Sequence, residues 1–169
     1  VVVMEAEHYF QSKASANTTW TIIPDMGRTL SGISLMPYTN STENSYLEYR
    51  FQLKSEVQKA RVRIIFDSTM PFIKGGHRVA AAFDNNTPII KTINNELTWA
   101  NNYSKMYPAG AARINEVELT LDLTANDTDI HTLRLEPLDP GMVFHKVIID
   151  CGGYKQTHLK MKESTYQKQ

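Results

Sequence analysis

Glu5 and Glu7 stand two residues apart in "VVVMEAEHYF" and are the only charged side chains among the first seven. In an extended strand that spacing puts both carboxylates on one face. A buried carboxylate is costly unless a positive or hydrogen-bonding group meets it. Four partners are open: a metal ion, a sugar, a catalytic partner, or solvent. A satisfied pairing with His145, Arg28 or a strand-edge amide is the plain structural alternative. Bond cleavage between two carboxylates needs facing elements, roughly 5 to 9.5 Å apart across a cleft. Neighbours at i and i+2 approach from one side and do not flank a bond.

A second constellation lies in "LTWANNYSKMY", where Trp99, Asn101, Asn102, Tyr103 and Tyr107 crowd one loop-like stretch. An exposed ring stacks on the apolar face of a pyranose while amides bond its hydroxyls. Trp99, Asn102, Tyr103 and Tyr107 are therefore the candidate carbohydrate contacts, against the alternative that Trp99 closes the core. Trp20 alternates with Ile22 and reads as core packing. The five histidines, His8, His77, His131, His145 and His158, are scattered, with no His-x-x-x-His pair. No Gly-x-Ser-x-Gly elbow or phosphate-cradling glycine loop is present. The single Cys151 excludes an internal disulfide and a multi-cysteine zinc site, and reads as a small buried hydrophobe.

The elements that must position these residues are strands. "SYLEYRFQL" puts Leu47, Tyr49, Phe51 and Leu53 on one side, and "QKARVRIIF" does the same with Ala60, Val62, Ile64 and Phe66. "RINEVELTLDL", "HTLRLEP", "MVFHKVIID", "RVAAAF" and "PIIKTI" continue the pattern, with turn chemistry at "PDMG", "KGGH", "DNNTP", "TANDTD" and "LDPG". Alternation of period two, repeated this often, predicts an all-β antiparallel β-sandwich of about nine or ten strands, jelly-roll-like. Only "NNELTWANNYSKMY" has room for a helical turn or two. Residues 1–154 read as one sandwich domain, and residues 155–169 as a basic tail that loses the alternation.

At 169 residues the chain supports one well-buried core. Eighteen basic and eighteen acidic residues balance, so no field of one sign draws nucleic acid or an acidic membrane. No apolar run approaches the roughly 20 residues that cross a bilayer. The start at Val1, with no basic n-region, reads as a chain trimmed or excised from a longer one.

Three stretches together, "MEAEHYF", "IPDMGRTLSGISLMP" and "LDPGMVFHKVIIDCGGYKQTHLKMKES", resemble the C-terminal β-sandwich of glycoside hydrolase family 115, the xylan α-1,2-glucuronidases. The "DPG…VIID.GG" run is the most specific of them. Family members continue with a Leu after the Gly pair and a Tyr-Leu-Gly-Pro-Pro-Glu-Ser tail. Here Tyr154 stands at that Leu, His158 at the Tyr, and Lys160, Met161 and Lys162 at Gly-Pro-Pro, leaving Leu159, Glu163 and Ser164 in common.

The resemblance implies a galactose-binding-like jelly roll, akin to family 6 and family 35 carbohydrate-binding modules. It implies a non-catalytic accessory module that supports domain packing or dimerisation and contacts glucuronoxylan. Its partners would be upstream catalytic domains of the parent enzyme, or a second subunit, and a xylan-type polysaccharide, in a periplasmic or secreted setting. In the related binding modules a pair like Glu5 and Glu7 helps hold a structural calcium, with backbone carbonyls and an Asp of the final strand. In this chain His145 stands where that Asp would be. A free-standing carbohydrate-binding module with calcium at Glu5 and Glu7 is one alternative, and a ligand-free interaction domain is another.

Overall fold

The computed structural model of the chain describes residues 1–53, 57–95, 104, 107–123 and 129–166. Among these, the first strands are β1 (Val2–Glu5), β2 (Gln11–Lys13), β3 (Thr19–Ile23), β4 (Gly32–Met36) and β5 (Tyr46–Gln52). Then come β6 (Lys59–Phe66), β7 (His77–Phe83), β8 (Ile89–Ile93), a short helix α1 (Tyr107–Ala112), β9 (Asn115–Asp122), β10 (Ile130–Pro137) and β11 (Val143–Asp150). They form two antiparallel sheets. One runs β3-β4-β11-β6-β9, with β1 also paired to β11, and the other runs β2-β5-β10-β7-β8. The fold is an antiparallel β-sandwich.

The alternation does what it predicts on the facing sides. Tyr49, Phe66, Phe83, Leu133, Leu135 and Phe144 are fully buried between the sheets. Burial pushes the Tyr49 phenol well above its ordinary value, and its hydroxyl donates to the Ala6 carbonyl at 3.0 Å. Trp20 packs on the core beside Phe144, and Cys151 does so at the end of β11. Burial raises the Cys151 thiol, as expected of an inert side chain.

The strand count exceeds the nine or ten expected because β2, β3 and β4 lack clean alternation. β2 is exposed throughout, β3 is an edge strand, and β4 is buried on nearly every residue between β3 and β11. The first strand is also shorter than "MEAEHYF" suggests: it ends at Glu5, and Ala6 and Glu7 form a turn.

The outer face of the larger sheet is not simply solvated. Val3, Ile65 and Ile148 form a second apolar cluster there, covered by Ile114, Tyr154 and Met161. The segment that follows β11 crosses this face as a strap. Ser164 exchanges bonds with Val3, its amide donating to the Val3 carbonyl at 2.9 Å and its hydroxyl accepting from the Val3 amide at 3.0 Å. The Glu5 amide donates to Glu163 at 2.9 Å, His8 Nδ1 lies 2.8 Å from the same carboxylate oxygen, and Tyr166 stacks on the His8 ring at 4.0 Å. Polar strand residues beneath the strap pair with it and with each other. Lys160 Nζ reaches Glu116 at 2.6 Å, Arg63 donates to Glu116 at 2.7 Å and lies 4.4 Å over the Tyr154 ring, and Arg61 reaches Asp150 at 2.7 Å.

Candidate functional site

Two places take up the residues singled out in the sequence. The first is the end of β1. Glu5 faces Lys146 in the β1–β11 register, on the outer side of the sheet. Both side chains are almost wholly buried, and Lys146 Nζ lies 3.1 Å from Glu5 Oε1. The ammonium also donates to the carbonyls of Leu159 at 3.1 Å and Met161 at 2.9 Å. The ammonium thus forms two hydrogen bonds to the strap and one ion pair to β1. Thr29 adds a hydroxyl donor to the same Glu5 oxygen.

The pairing expected for Glu5, with His145 or Arg28, is therefore corrected to Lys146. Glu7 does not share a strand face with Glu5, because the strand has ended before it. His145 sits where the β11–β6 register shifts between Phe144 and Lys146, and its carbonyl accepts from the Ala6 amide at 2.9 Å. Its buried ring has neither nitrogen hydrogen-bonded among the described residues. Burial holds the imidazole below its usual value; Asp67 pulls the other way, and Arg28, Arg113 and Lys146 add to the depression. Arg28 turns instead to α1, its Nη2 donating to the Ala112 carbonyl at 2.7 Å.

These donors do not make a calcium cage. Calcium takes six to eight oxygens at about 2.3–2.6 Å. Here the Glu5 oxygen and two carbonyls already face an ammonium, and His145 offers nitrogen to a cation that prefers oxygen. No group of three or more His, Cys, Asp or Glu is arranged for a metal among the described residues.

The second place is the end of the sandwich that carries the connections 67–76 and 138–142, with the described residues 94–95 and 107–114 between β8 and β9. Trp99, Asn102 and Tyr103 lie outside the described residues. Tyr107, at the start of α1, is 66% exposed. The described surface around these connections is held by specific ties. Arg78 grips Asp139 with Nε and Nη2 at 2.8 and 2.9 Å, and holds that carboxyl below its ordinary range. Asn94 Nδ2 donates to the Thr69 carbonyl at 2.8 Å. Phe72 lies over Gly141, where a Cβ would come within 2.6 Å of the ring, and it meets His77 edge-on at 4.7 Å. Gly141 has φ +86°, so both its backbone and the ring above it require glycine. Met70 and Phe72 are 66% and 53% exposed. The sequence reading missed this apolar pair, because "STMPFIKGG" shows neither alternation nor polar partners.

The far end offers a different shape, a cleft of about 420 Å³ lined by Ala82, Asn86, Pro88, Ile89 and Asp122 among others. Among the described residues its lining carries no exposed aromatic ring against which a sugar would stack.

The profile of the glycosyl hydrolase family 115 C-terminal domain matches residues 1–163. The chain belongs to that family. As a family 115 C-terminal domain it is a non-catalytic module of a glycoside hydrolase. The matched range includes most of the strap.

Solved structures give the same fold at low identity. A family 115 4-O-methyl-α-glucuronidase, BtGH115A, is 15% identical, with 83% of this chain and 17% of that one covered at a TM-score of 0.53. A family 35 carbohydrate-binding module from Clostridium thermocellum is 13% identical, with 88% and 98% covered at 0.57. The module CBM6cm-2 of Cellvibrio mixtus lichenase 5A, in complex with cellotriose, is 14% identical, with 90% and 98% covered at 0.54. The family 115 domain thus spans about a sixth of the BtGH115A chain and nearly all of each isolated binding module. A search of curated proteins finds no match.

Proposed function

We propose that this domain is the accessory module of a xylan α-glucuronidase-type enzyme, packing against the enzyme's catalytic domains or a second subunit and contacting the glucuronic-acid-bearing polysaccharide. The family match over residues 1–163 carries this reading. The residues proposed for the sugar contact are Trp99, Asn102, Tyr103 and Tyr107, which would supply rings and amides. The exposure of Tyr107 supports it, since a stacking ring must be open to solvent. A degrader of plant polysaccharide works outside the cytoplasm, so a periplasmic or secreted setting follows from the same reading.

Affinity gel electrophoresis tests the sugar contact. The chain should be retarded by glucuronoxylan, and Trp99→Ala, Tyr103→Ala and Tyr107→Ala should each weaken the retardation. BtGH115A is described with specificity for decorated arabinogalactans, so arabinogalactan is the second arm. Retardation by arabinogalactan alone would replace the xylan assignment. Unretarded migration in both gels would remove sugar contact and leave packing as the role.

A second reading rests on Met70 and Phe72. Two large exposed apolar side chains, two residues apart in one connection, suit a protein contact better than a hydrated sugar. Met70→Ser with Phe72→Ser should then weaken association with the parent enzyme's upstream domains, measured by sedimentation, while polysaccharide retardation stays unchanged.

A further inference from the structure

We propose that Lys146 is the built-in cation of this module: its ammonium fills the place at the end of β1 that a metal ion would otherwise take, and it fastens the C-terminal strap without any metal. The observation is the donor set. Lys146 Nζ is enclosed by one carboxylate oxygen and two main-chain carbonyls at 2.9–3.1 Å, with 1% of its side chain exposed.

The two carbonyls belong to Leu159 and Met161, so the cation bridges strand and strap. Glu5, opposite, is held by β1 and by Thr29. One charge therefore joins three parts of the chain: β1, β11 and the strap. A calcium ion drawn to the Glu5 carboxylate would sit against this ammonium, 3.1 Å from the same oxygen. An ammonium on a covalent stem has fixed concentration and needs no free ion. It also supplies two directed hydrogen bonds to the strap carbonyls, beside its ion pair with the carboxylate.

The backbone supports the same conclusion. Strap residues Lys160 and Met161 both adopt left-handed conformations, with φ of 58° and 64°. Side chains rarely adopt this geometry unless surrounding contacts hold it. Here it carries the chain between Leu159 and Met161, the two residues whose carbonyls face the ammonium.

The test uses the 169-residue chain. Its melting temperature should be the same in EDTA and in millimolar calcium chloride, because a site already filled by an ammonium gains nothing by mass action. A drop of several degrees in EDTA, restored by calcium, would overturn the proposal. Lys146→Met should leave the strap unfastened, so amide exchange across residues 157–164 and in β1 should rise at least tenfold while β5, β7 and β10 keep their protection. Unchanged exchange in the strap would equally overturn it. Because Lys146→Met leaves the Glu5 carboxylate buried and unpaired, the paired variant Glu5→Gln/Lys146→Met provides a folded background. It should fold with a near-native melting temperature, remain indifferent to calcium, and still show the faster strap exchange. Slow, native-like strap exchange in that variant would mean that Lys146 fastens nothing.

Discussion

His77 and His145 are buried imidazoles whose ring nitrogens have no hydrogen-bond partner among the described residues. Burial depresses both, against a raising influence from Asp139 on His77 and from Asp67 on His145. The folded state thus prefers the neutral rings, while the unfolded chain takes up protons at about pH 6.5. The stability this represents is complete above that pH and is lost as pH falls toward the lowered folded values. Thermal melts should therefore be flat from pH 8 to 7 and decline below about 6.5. His77→Leu should reduce that decline. An equal decline in the variant would assign the pH dependence elsewhere.

The same sign applies lower on the pH scale to Glu116. Burial alone would raise its carboxyl, but Lys160 and Arg63 bring it below the ordinary value. Its contribution is present above the usual carboxylate range and lost as pH falls through the depressed value. Glu116→Ala at pH 7 should cost roughly 1.5 kcal/mol, the low end for hydrogen bonds to charged groups, because the side chain is 23% exposed. Urea unfolding measures it.

At the level of elements, the strap behaves as a layer rather than a tail. Val3, Ile65 and Ile148 lie under Tyr154 and Met161, and β1 has its outward bonds satisfied by Ser164 and Glu163. Ending the chain at residue 154 would bare that cluster, the edge of β1 and the Glu5–Lys146 pair together. The shortened chain should bind a hydrophobic dye and elute as higher oligomers in gel filtration, as an open apolar edge does. By contrast Leu133→Ala, in the main core, should cost about 2–5 kcal/mol through cavity formation while leaving a monomer.

The strands of the main core were legible because each alternates with one face in. β5, β6, β9 and β10 follow their sequence runs to within two residues at each end. The strap was not legible, since its partners lie on other strands, from Lys146 in β11 to Val3 at the far end of the sequence. Nor was the partner of Glu5. Lys146 follows His145 at the register shift in β11, and an alternation argument gives no reason to bury a lysine there. The aromatic cluster was legible as composition only, with Tyr107 the one member placed among the described residues.

At the scale of the molecule, an enzyme-borne domain and isolated carbohydrate-binding modules share this sandwich. Val3 and Ser164 touch each other. The first and last parts of the chain therefore leave the body from neighbouring points. That arrangement has a mechanical meaning. Tension applied at the C-terminal end meets the Val3–Ser164 exchange and the Glu163 contacts before it reaches β11, whereas tension at the N-terminal end loads Val2 of β1 directly. In an optical trap the chain should give a small, low-force lengthening as the strap lifts, then a separate and larger rupture of the sandwich. The module would so act as a seat belt that yields at its buckle while the body stays folded.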